Sequence, residues 1–441
     1  MHVILVQCTE IKQNKSHFLP KILDNSKIIC MVSIMLCLML KTNLIRLILW
    51  IFMTINNTLL FPYFQPIIGT ATGLIEGYEA LARRIDLEGN VKSAGELFLH
   101  PDISDKQLIE WDRGIRKQAL QKFNELPDNC YLAINISAAW IDYVDDFDAL
   151  PTLLMLDELA IDRNRLVIEI TETEGDLDKI VKAVEMYRKQ GLKIAIDDFG
   201  AGFSQLERVM AIQPDIIKLD MQLFQNAVRG GVATDVVHLL SQLAKRTGCK
   251  IVCEGVETNE VFLFGLSCGA QYMQGYLFSP AIAHFQDPKS YLPQIADLRN
   301  EFLSNVLMTQ KFKNEFSEGI EKLMYYLQRE LVKSDFSYKN LSTNLFENSG
   351  LLHFYVCDTH GNQITPNYNF SNNTWISDDK QLGYNWAWRP HFYEVLSFET
   401  NDYIVISERY RDFTTDILCK TFTLRLDKTR ILLVDVVAAW L

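Results

Sequence analysis

From Phe61 to Phe278, short apolar runs alternate with stretches whose apolar residues recur every three to four positions. The short runs are strand candidates: YFQPII (63–68), LIEGYEALAR (74–83), YLAINIS (131–137), RLVIEIT (165–171), LKIAIDDF (192–199), DIIKLD (215–220), KIVCEGV (250–256) and AQYMQGYLF (270–278). The stretches between most of them read as amphipathic helices over 104–125, 151–160, 176–190, 204–212, 232–247 and 258–268. Strands alternating with helices predict a parallel sheet buried by its helices. Eight such strands in one unit favour a closed (β/α)8 barrel of the α/β class over an open doubly wound sheet. No GxGxxG or Walker glycine loop supports the open sheet.

After about residue 285 the alternation stops. Residues 289–334 read as helix, and from 350 onward strands and turns take over: LLHFYVCDTHGNQITPNY, YIVISERYRDF, TFTLRL and TRILLVDVV, with HGN a hairpin-type turn. The chain therefore divides into an apolar N-terminal segment (1–58), a barrel (59–285), a helical connector (286–335) and an α+β domain (336–441). In the first segment, IICMVSIMLCLML (28–40) falls short of the roughly 20 residues that span a bilayer. Three readings stay open: a weak membrane anchor involving residues 28–53, an interfacial segment, or residues upstream of the true start, for which Met53 is a candidate.

Composition narrows the class. Hydrophobic residues at 48% and charged residues at 22% are those of a folded globular protein, and 441 residues suit two folded units. A net charge of −12 argues against DNA or RNA as partner, since gripping phosphates without sequence preference needs a basic surface. A local cluster of cations can still receive a small anion. Nine cysteines without a CxxC pair read as buried thiols of a reducing, cytoplasmic compartment.

Polar residues interrupt the apolar strands at one end. Glu79, Asn135, Glu169, Asp197, Lys218, Glu254 and Gln274 each sit near the end of a different strand, and in a barrel all those ends meet on one face. An unpaired carboxylate buried there costs several kcal/mol, so Asp197 and Asp198 call for a counter-charge. Glu79, Glu169, Asp197, Asp198 and Glu254 outnumber the one lysine, and carboxylates packed this closely cannot all ionise without a cation. An all-oxygen set without histidine suits Mg2+ or Mn2+ rather than zinc. Two ions bridged by Asp197 use the set best. Such a pair, about 3.5–4 Å apart, is suited to in-line attack on a phosphodiester. Lys218 can polarise the attacking water, stabilise charge on phosphorus, or serve as counter-ion to the carboxylates.

EALAR (79–83) resembles the signature of the EAL-domain cyclic di-GMP phosphodiesterases. NIS (135–137), EITE (169–172), DDFGAGFSQL (197–206), IKLD (217–220), EGVE (254–257) and QGYLF (274–278) are similar to the family's remaining blocks, in order and spacing. The resemblance covers residues 61 to 285 and implies hydrolysis of cyclic di-GMP to linear pGpG by a homodimer. It implies metal ligation by Glu79, Asn135, Glu169, Asp197 and Asp198, with Glu254 a second-metal ligand or base and Lys218 assisting the water. Gln65, Arg83 and Gln274 would grip the dinucleotide, and Glu172 and Glu257 would anchor the loop after Asp198. That loop departs from the family's usual form at Ala201, Phe203 and Gln205, while Gly200 and Gly202 stand. FSPA (278–281) lacks the usual basic residue before its proline. The alternative is an EAL receptor that binds cyclic di-GMP without cleaving it; such receptors usually lose ligand or lysine positions, and here each is filled.

The C-terminal outline resembles the PAS-like sensor domains that follow some EAL domains, which implies an unidentified small ligand there. NWAWRPHFYEVL (385–396) is aromatic enough to line a ligand pocket, or else forms core and a packed helix. His353, His360 and His391 lack the spacing of a metal or haem site and read as surface or core histidines.

Overall fold

The structure is a computed structural model that describes residues 60–438 except 87, 99, 171–174, 201–204, 336, 344, 348 and 373. Segment 1–58 and the membrane contact expected of residues 28–53 lie outside the described residues, as does most of the loop after Asp198. Among the described residues, no helix is long and apolar enough to cross a membrane. The chain forms two compact units that divide between Leu298 and Arg299.

The first unit is built on β1 (Leu60–Gly69), β2 (Ile75–Ile85), β3 (Val91–Ser93), β4 (Tyr131–Ile136), β5 (Leu166–Ile170), β6 (Lys193–Phe199), β7 (Ile216–Leu219), β8 (Lys250–Cys253) and β9 (Tyr272–Met273). Their order is β1-β9-β8-β7-β6-β5-β4-β2, and β2 pairs back onto β1, so eight strands close a ring with β3 appended to β2. Among the described residues, besides the four-residue helices Gly95–Phe98 and Ala138–Ile141, the longer helices that accompany them are α1 (Asp105–Gln121), α2 (Pro151–Leu159), α3 (Leu177–Lys189), α4 (Gln205–Ile212), α5 (Met221–Val228), α6 (Val232–Thr247) and α7 (Asn259–Cys268). Leu120, Leu153, Val184, Phe224, Leu240 and Phe262 from these helices share one core with Leu132, Ile168, Ile194, Ile217 and Ile251 from the strands.

Two features correct the expectation of a uniform parallel alternation. β1 runs antiparallel to both its neighbours, β2 and β9, while the remaining neighbours around the ring are parallel. The reason is local: only residues 70–74 separate β1 from β2, and a parallel crossover needs a dozen or more. Helix α5, absent from the sequence reading, starts directly after β7 because Asp220 caps it, its carboxylate accepting from Leu223 N at 2.9 Å.

Side chains of a strand alternate faces with a period of two. Ile67, Ala133, Val167, Ala195, Ile216, Val252 and Tyr272, from seven different strands, form one apolar cluster inside the ring. The next inward positions along the parallel strands are Asn135, Glu169, Asp197, Lys218 and Glu254, with Gln274 just past the end of β9. On the reversed β1 the corresponding residue precedes the apolar one, and it is Gln65, paired in register with Glu79 of β2. Beyond Gln274 the chain passes so close to β8's exit that a Cβ on Gly275 would lie 2.1 Å from the Val256 carbonyl oxygen.

The second unit contains the rest of α8 (Leu292–Lys333), a helix that begins in the first, followed by β10 (Leu351–Asp358), β11 (Asn367–Ser371), β12 (Thr374–Asp378), α9 (Pro390–Leu396), β13 (Ile404–Ile406), β14 (Tyr410–Arg411), β15 (Leu418–Arg425) and β16 (Arg430–Val437). The sheet is antiparallel in the order β12-β11-β10-β16-β15-β13, with β14 on β15. The HGN turn is present: Gly361 has φ 88° and its N–H donates to Asp358 O at 3.0 Å. Ile320, Met324, Leu327 and Leu331 of α8 pack with Phe354, Phe422 and Val434 on one sheet face. On the other, α9 and Trp386 pack with Tyr355, Val405 and Leu433. His353 lies on that second face beside Asp435, its cross-strand neighbour, which is in turn paired with Thr421.

His360 is exposed, whereas His353 and His391 are buried. His353 Nε2 donates to Asp435 Oδ2 at 2.8 Å. Burial opposes its charge, but the bond and charge of Asp435, then Asp412, outweigh burial and raise its pKa above 6.5; Arg389 opposes more weakly. Burial also opposes the Asp435 anion, yet His353, Thr421 and Arg389 hold its pKa below the usual 3.8. A raised histidine stabilises the fold fully below its unfolded value and loses that contribution as pH climbs through its folded value. The depressed aspartate contributes above its unfolded value and loses this as pH falls through its folded one. Calorimetric melts of the full chain should therefore show the C-terminal transition falling on the alkaline side, with the fall flattened in His353→Gln; an equal decline in both proteins contradicts the pairing. In the barrel, Gly275→Ala should cost about 1–3 kcal/mol by forcing the 254–256 and 274–276 segments apart, read as a lower denaturant midpoint.

Candidate active site

Lys218, on β7, is 1% exposed and stands at the centre of the inward polar layer. Its Nζ lies 3.0 Å from Glu79 Oε2, 3.1 Å from Glu169 Oε2, 2.9 Å from Asp197 Oδ1 and 2.8 Å from Glu254 Oε1. An ammonium has three N–H bonds, so it cannot serve four carboxylates at once. Its hydrogen bonds go to Glu79 and Glu169, while Asp197 and Glu254 are held as close ion contacts. Glu79 is held further by Asn135 Nδ2, which donates to Oε1 at 2.8 Å, and by Gln274 Nε2, which donates to Oε2 at 2.7 Å. Gln274 Nε2 also reaches Gln65 Oε1 at 3.2 Å. Residues from β1, β2, β4, β5, β6, β7 and the exits of β8 and β9 thus meet in one place.

Adjacent residues of a regular strand point to opposite faces, yet Asp197 and Asp198 both reach the mouth. The register between β6 and β7 shifts after Ile196, and Asp198 takes the left-handed conformation with φ 52°. Aspartate tolerates that region better than most residues do. Ligand atoms of Asp197, Asp198 and Glu254 consequently lie within 4.8 Å of one another, as do those of Glu79, Glu169 and Asp197.

Burial is the leading influence on every one of these groups. It raises Glu169 well above the usual carboxylate range, with Glu79, Asp197 and Glu254 adding to the rise against Lys218. Asp197 is raised by burial against the pull of Lys218, Glu254 is pushed to about 8, and Asp198 is pushed to about 6 by burial and the charge of Asp197. Glu79 alone is lowered, because Lys218, Gln274 and Asn135 together overcome burial. Lys218 stays charged: burial opposes it, and the surrounding carboxylates more than compensate. The cluster carries more negative charge than one lysine neutralises, the condition under which a carboxylate site exchanges protons for metal.

A cavity of about 900 Å³ opens over this layer, near the upper end of the roughly 300–1,000 Å³ usual for ligand sites. Gln65, Glu79, Arg83, Asn135, Asp197, Asp198, Glu254, Glu257 and Gln274 all line it, while Glu169 and Lys218 lie beneath. Arg83 is half-buried, with Nη1 donating to Ala82 O at 2.9 Å. Glu257 is exposed, and Glu172 lies outside the described residues. The wall also contains Asp112, Arg116 and Trp140, which the sequence reading did not single out. Arg116 is 6% exposed, pairs with Asp112 and donates to Thr152 Oγ1 at 3.0 Å. Their signal was present: Asp112 and Arg116 fall within the stripe formed by Leu108, Trp111, Ile115 and Ala119, where a helix should be apolar. The described cysteines, Cys130, Cys249, Cys253, Cys268, Cys357 and Cys419, are free and buried.

The donor set fits a divalent cation. It is all oxygen, as hard ions require. Asn135 Oδ1 is buried with no hydrogen-bond partner, and Asp197 Oδ1 is buried with only the shared ammonium of Lys218 beside it, a cost that a bound cation removes.

Residues 50–281 match the EAL domain family, and residues 296–441 match the EAL-domain associated signalling protein domain. The chain is similar to the uncharacterised EAL-domain containing protein YkuI of Bacillus subtilis, 28% identical over 394 residues that cover 86% of this chain and 95% of that protein. It is also similar to the cyclic di-GMP phosphodiesterase PdeL of Escherichia coli, 28% identical over 227 residues, 50% of this chain and 62% of that protein. The crystal structure of Bacillus subtilis YkuI, in complex with substrate c-di-GMP and calcium, superposes with a TM-score of 0.75 at 26% identity, covering 87% of this chain and 96% of that one. With a closed barrel, a carboxylate-rich mouth and a match spanning more than half its length, this chain belongs to the EAL-domain family.

Proposed function

We propose that this protein is a divalent-cation-dependent phosphodiesterase that opens cyclic di-GMP to linear pGpG, acts as a homodimer, and is controlled by its C-terminal unit. The observation that carries this reading is the meeting of Glu79, Glu169, Asp197 and Glu254 within 2.8–3.1 Å of Lys218 Nζ at the floor of a large cavity. The likeness to a structure holding c-di-GMP and calcium supports it. Glu79, Asn135, Glu169, Asp197, Asp198 and Glu254 would hold Mg2+ or Mn2+, two ions using the set most fully. Bound there, the cations would supply charge neutralisation for the phosphodiester and make a water more acidic.

The chain's own residues supply the rest. Gln65 and Gln274, bonded to each other and with Gln274 also bonded to Glu79, present amide groups to a ligand in the cavity. Arg83 offers a guanidinium fork that matches phosphate oxygens. Lys218 holds its proton firmly among the carboxylates, so its part is to orient the attacking water or stabilise charge on phosphorus, not to accept a proton. Glu172 and Glu257 would anchor the loop after Asp198.

Purified protein incubated with cyclic di-GMP and Mn2+ should yield pGpG on chromatography, with loss of product under a chelator. Glu79→Ala should abolish turnover, since it removes a ligand and the residue bonded by Lys218, Asn135 and Gln274. Tight binding without product would instead make the protein a receptor. Lys218→Ala should cost turnover about 100- to 1,000-fold or more while the barrel stays folded in Mn2+. In chelator the same variant leaves its carboxylates without counter-charge and should be destabilised by about 3–5 kcal/mol. A variant that unfolds even in Mn2+ would instead assign Lys218 the role of structural counter-ion.

A further inference from the structure

The aromatic segment 385–396 has no part in the barrel chemistry, and it carries a built cationic site. Arg389, the residue before α9, is 6% exposed. Its guanidinium lies 4.2 Å from the ring centre of Trp386, 4.7 Å from Tyr410, 5.4 Å from Phe413 and 5.7 Å from Trp388. Ring faces hold a cation but accept none of its in-plane N–H bonds. Of the five donors a guanidinium carries, one is used: Nη1 donates to Tyr410 Oη at 3.1 Å. Among the described residues, no other acceptor meets the group.

The nearby carboxylates do not fill that role. Asp435 Oδ1 accepts from Tyr410 Oη at 2.9 Å and Thr421 Oγ1 at 2.6 Å, and Oδ2 accepts from His353. Asp412 Oδ2 accepts from Thr414 N at 3.0 Å, Thr415 N at 2.7 Å and Thr415 Oγ1 at 2.8 Å, and Oδ1 lies 3.7 Å from His353 Nε2. His391, two residues beyond Arg389, is 5% exposed and its Nε2 has no partner. Burial and the arginine's charge hold its pKa at about 4, so it is a neutral polar group near physiological pH. Access comes from outside: Trp388 is 65% and Phe413 67% exposed. Two large rings kept in water beside a buried cation contribute little to folding.

We propose that Arg389, walled by Trp386, Trp388, Tyr410 and Phe413, is a binding site for a small organic carboxylate. The planar fork matches two carboxylate oxygens, and such paired, charge-assisted bonds are among the stronger polar contacts. One guanidinium, its field already offset by Asp435, suits a monoanion better than a phosphate dianion. The exposed ring faces take the apolar remainder of the ligand. Occupancy would be felt at the centre of the sheet, because Tyr410 links Arg389 to Asp435 and thence to His353. This site does not depend on whether the barrel is catalytic.

The test is calorimetric titration of the full chain with pyruvate, acetate and benzoate, followed in parallel by tryptophan fluorescence, with inorganic phosphate as control. At least one carboxylate should saturate and phosphate should not. Affinity should fall about tenfold in Arg389→Lys, which keeps charge but loses the fork, and more in Arg389→Met. Trp388→Ala removes an exposed ring without opening the core and should also weaken binding, which keeps the test decisive if the arginine variants fail to fold. The proposal is overturned if no carboxylate saturates, if phosphate binds as well as they do, or if Trp388→Ala or Arg389→Met binds like the unaltered protein.

Discussion

Ring closure is the constraint from which the first unit follows. Once β2 pairs back onto β1, every strand has an inside and an outside, and alternation leaves each inward residue one destination. Lower in the ring those residues are apolar and fill it: Ile67, Ala133, Val167, Ala195, Ile216, Val252 and Tyr272. One step further along, the same geometry forces Glu79, Asn135, Glu169, Asp197, Lys218 and Glu254 together. No flexible loop has to deliver them. The rigidity of the sheet sets their spacing, as a site that works through positioned charge demands.

That concentration creates an electrostatic problem with several partial solutions. Lys218 neutralises some of the charge, burial raises the proton affinity of Glu169 and Glu254, and amides from Asn135 and Gln274 stabilise Glu79. None satisfies every oxygen, since Asn135 Oδ1 is left without a donor and Asp197 Oδ1 shares one ammonium with three other carboxylates. The site is therefore built around a positive charge greater than the chain itself provides. The overall charge of −12 is no obstacle to an anionic ligand under these conditions, because the field in the cavity depends on what the carboxylates hold.

Much of this was legible in the sequence, for a physical reason. A polar residue ending an apolar strand has few places to go in a barrel, so Glu169, Asp197 and Lys218 could be read from position alone. Gln65 could not, because reversal of β1 places it ahead of its apolar neighbours, and only the family resemblance drew attention to it. The reversal itself was visible in the short gap 70–74, too small for a crossover. The left-handed turn at Asp198 was not, since it depends on pairing with β7. Asp112 and Arg116 were overlooked because a helical stripe tolerates occasional charges, and their burial follows from packing over the barrel mouth. In the second unit the strands showed as an outline, but the meeting of His353 with Asp435 joins β10 to β16 across the whole domain, and no local pattern encodes it.

The reversed first strand also governs when the site can exist. Gln65 and Glu79 are brought together by a hairpin, an event among near neighbours in the chain that forms on a microsecond scale. Lys218 and Gln274 reach Glu79 only after residues 139 and 195 positions apart have found each other. Such distant encounters are the slow steps of folding. A nascent or partly assembled barrel thus holds half the pocket and none of its charge balance, so binding competence emerges only with the last strand docked.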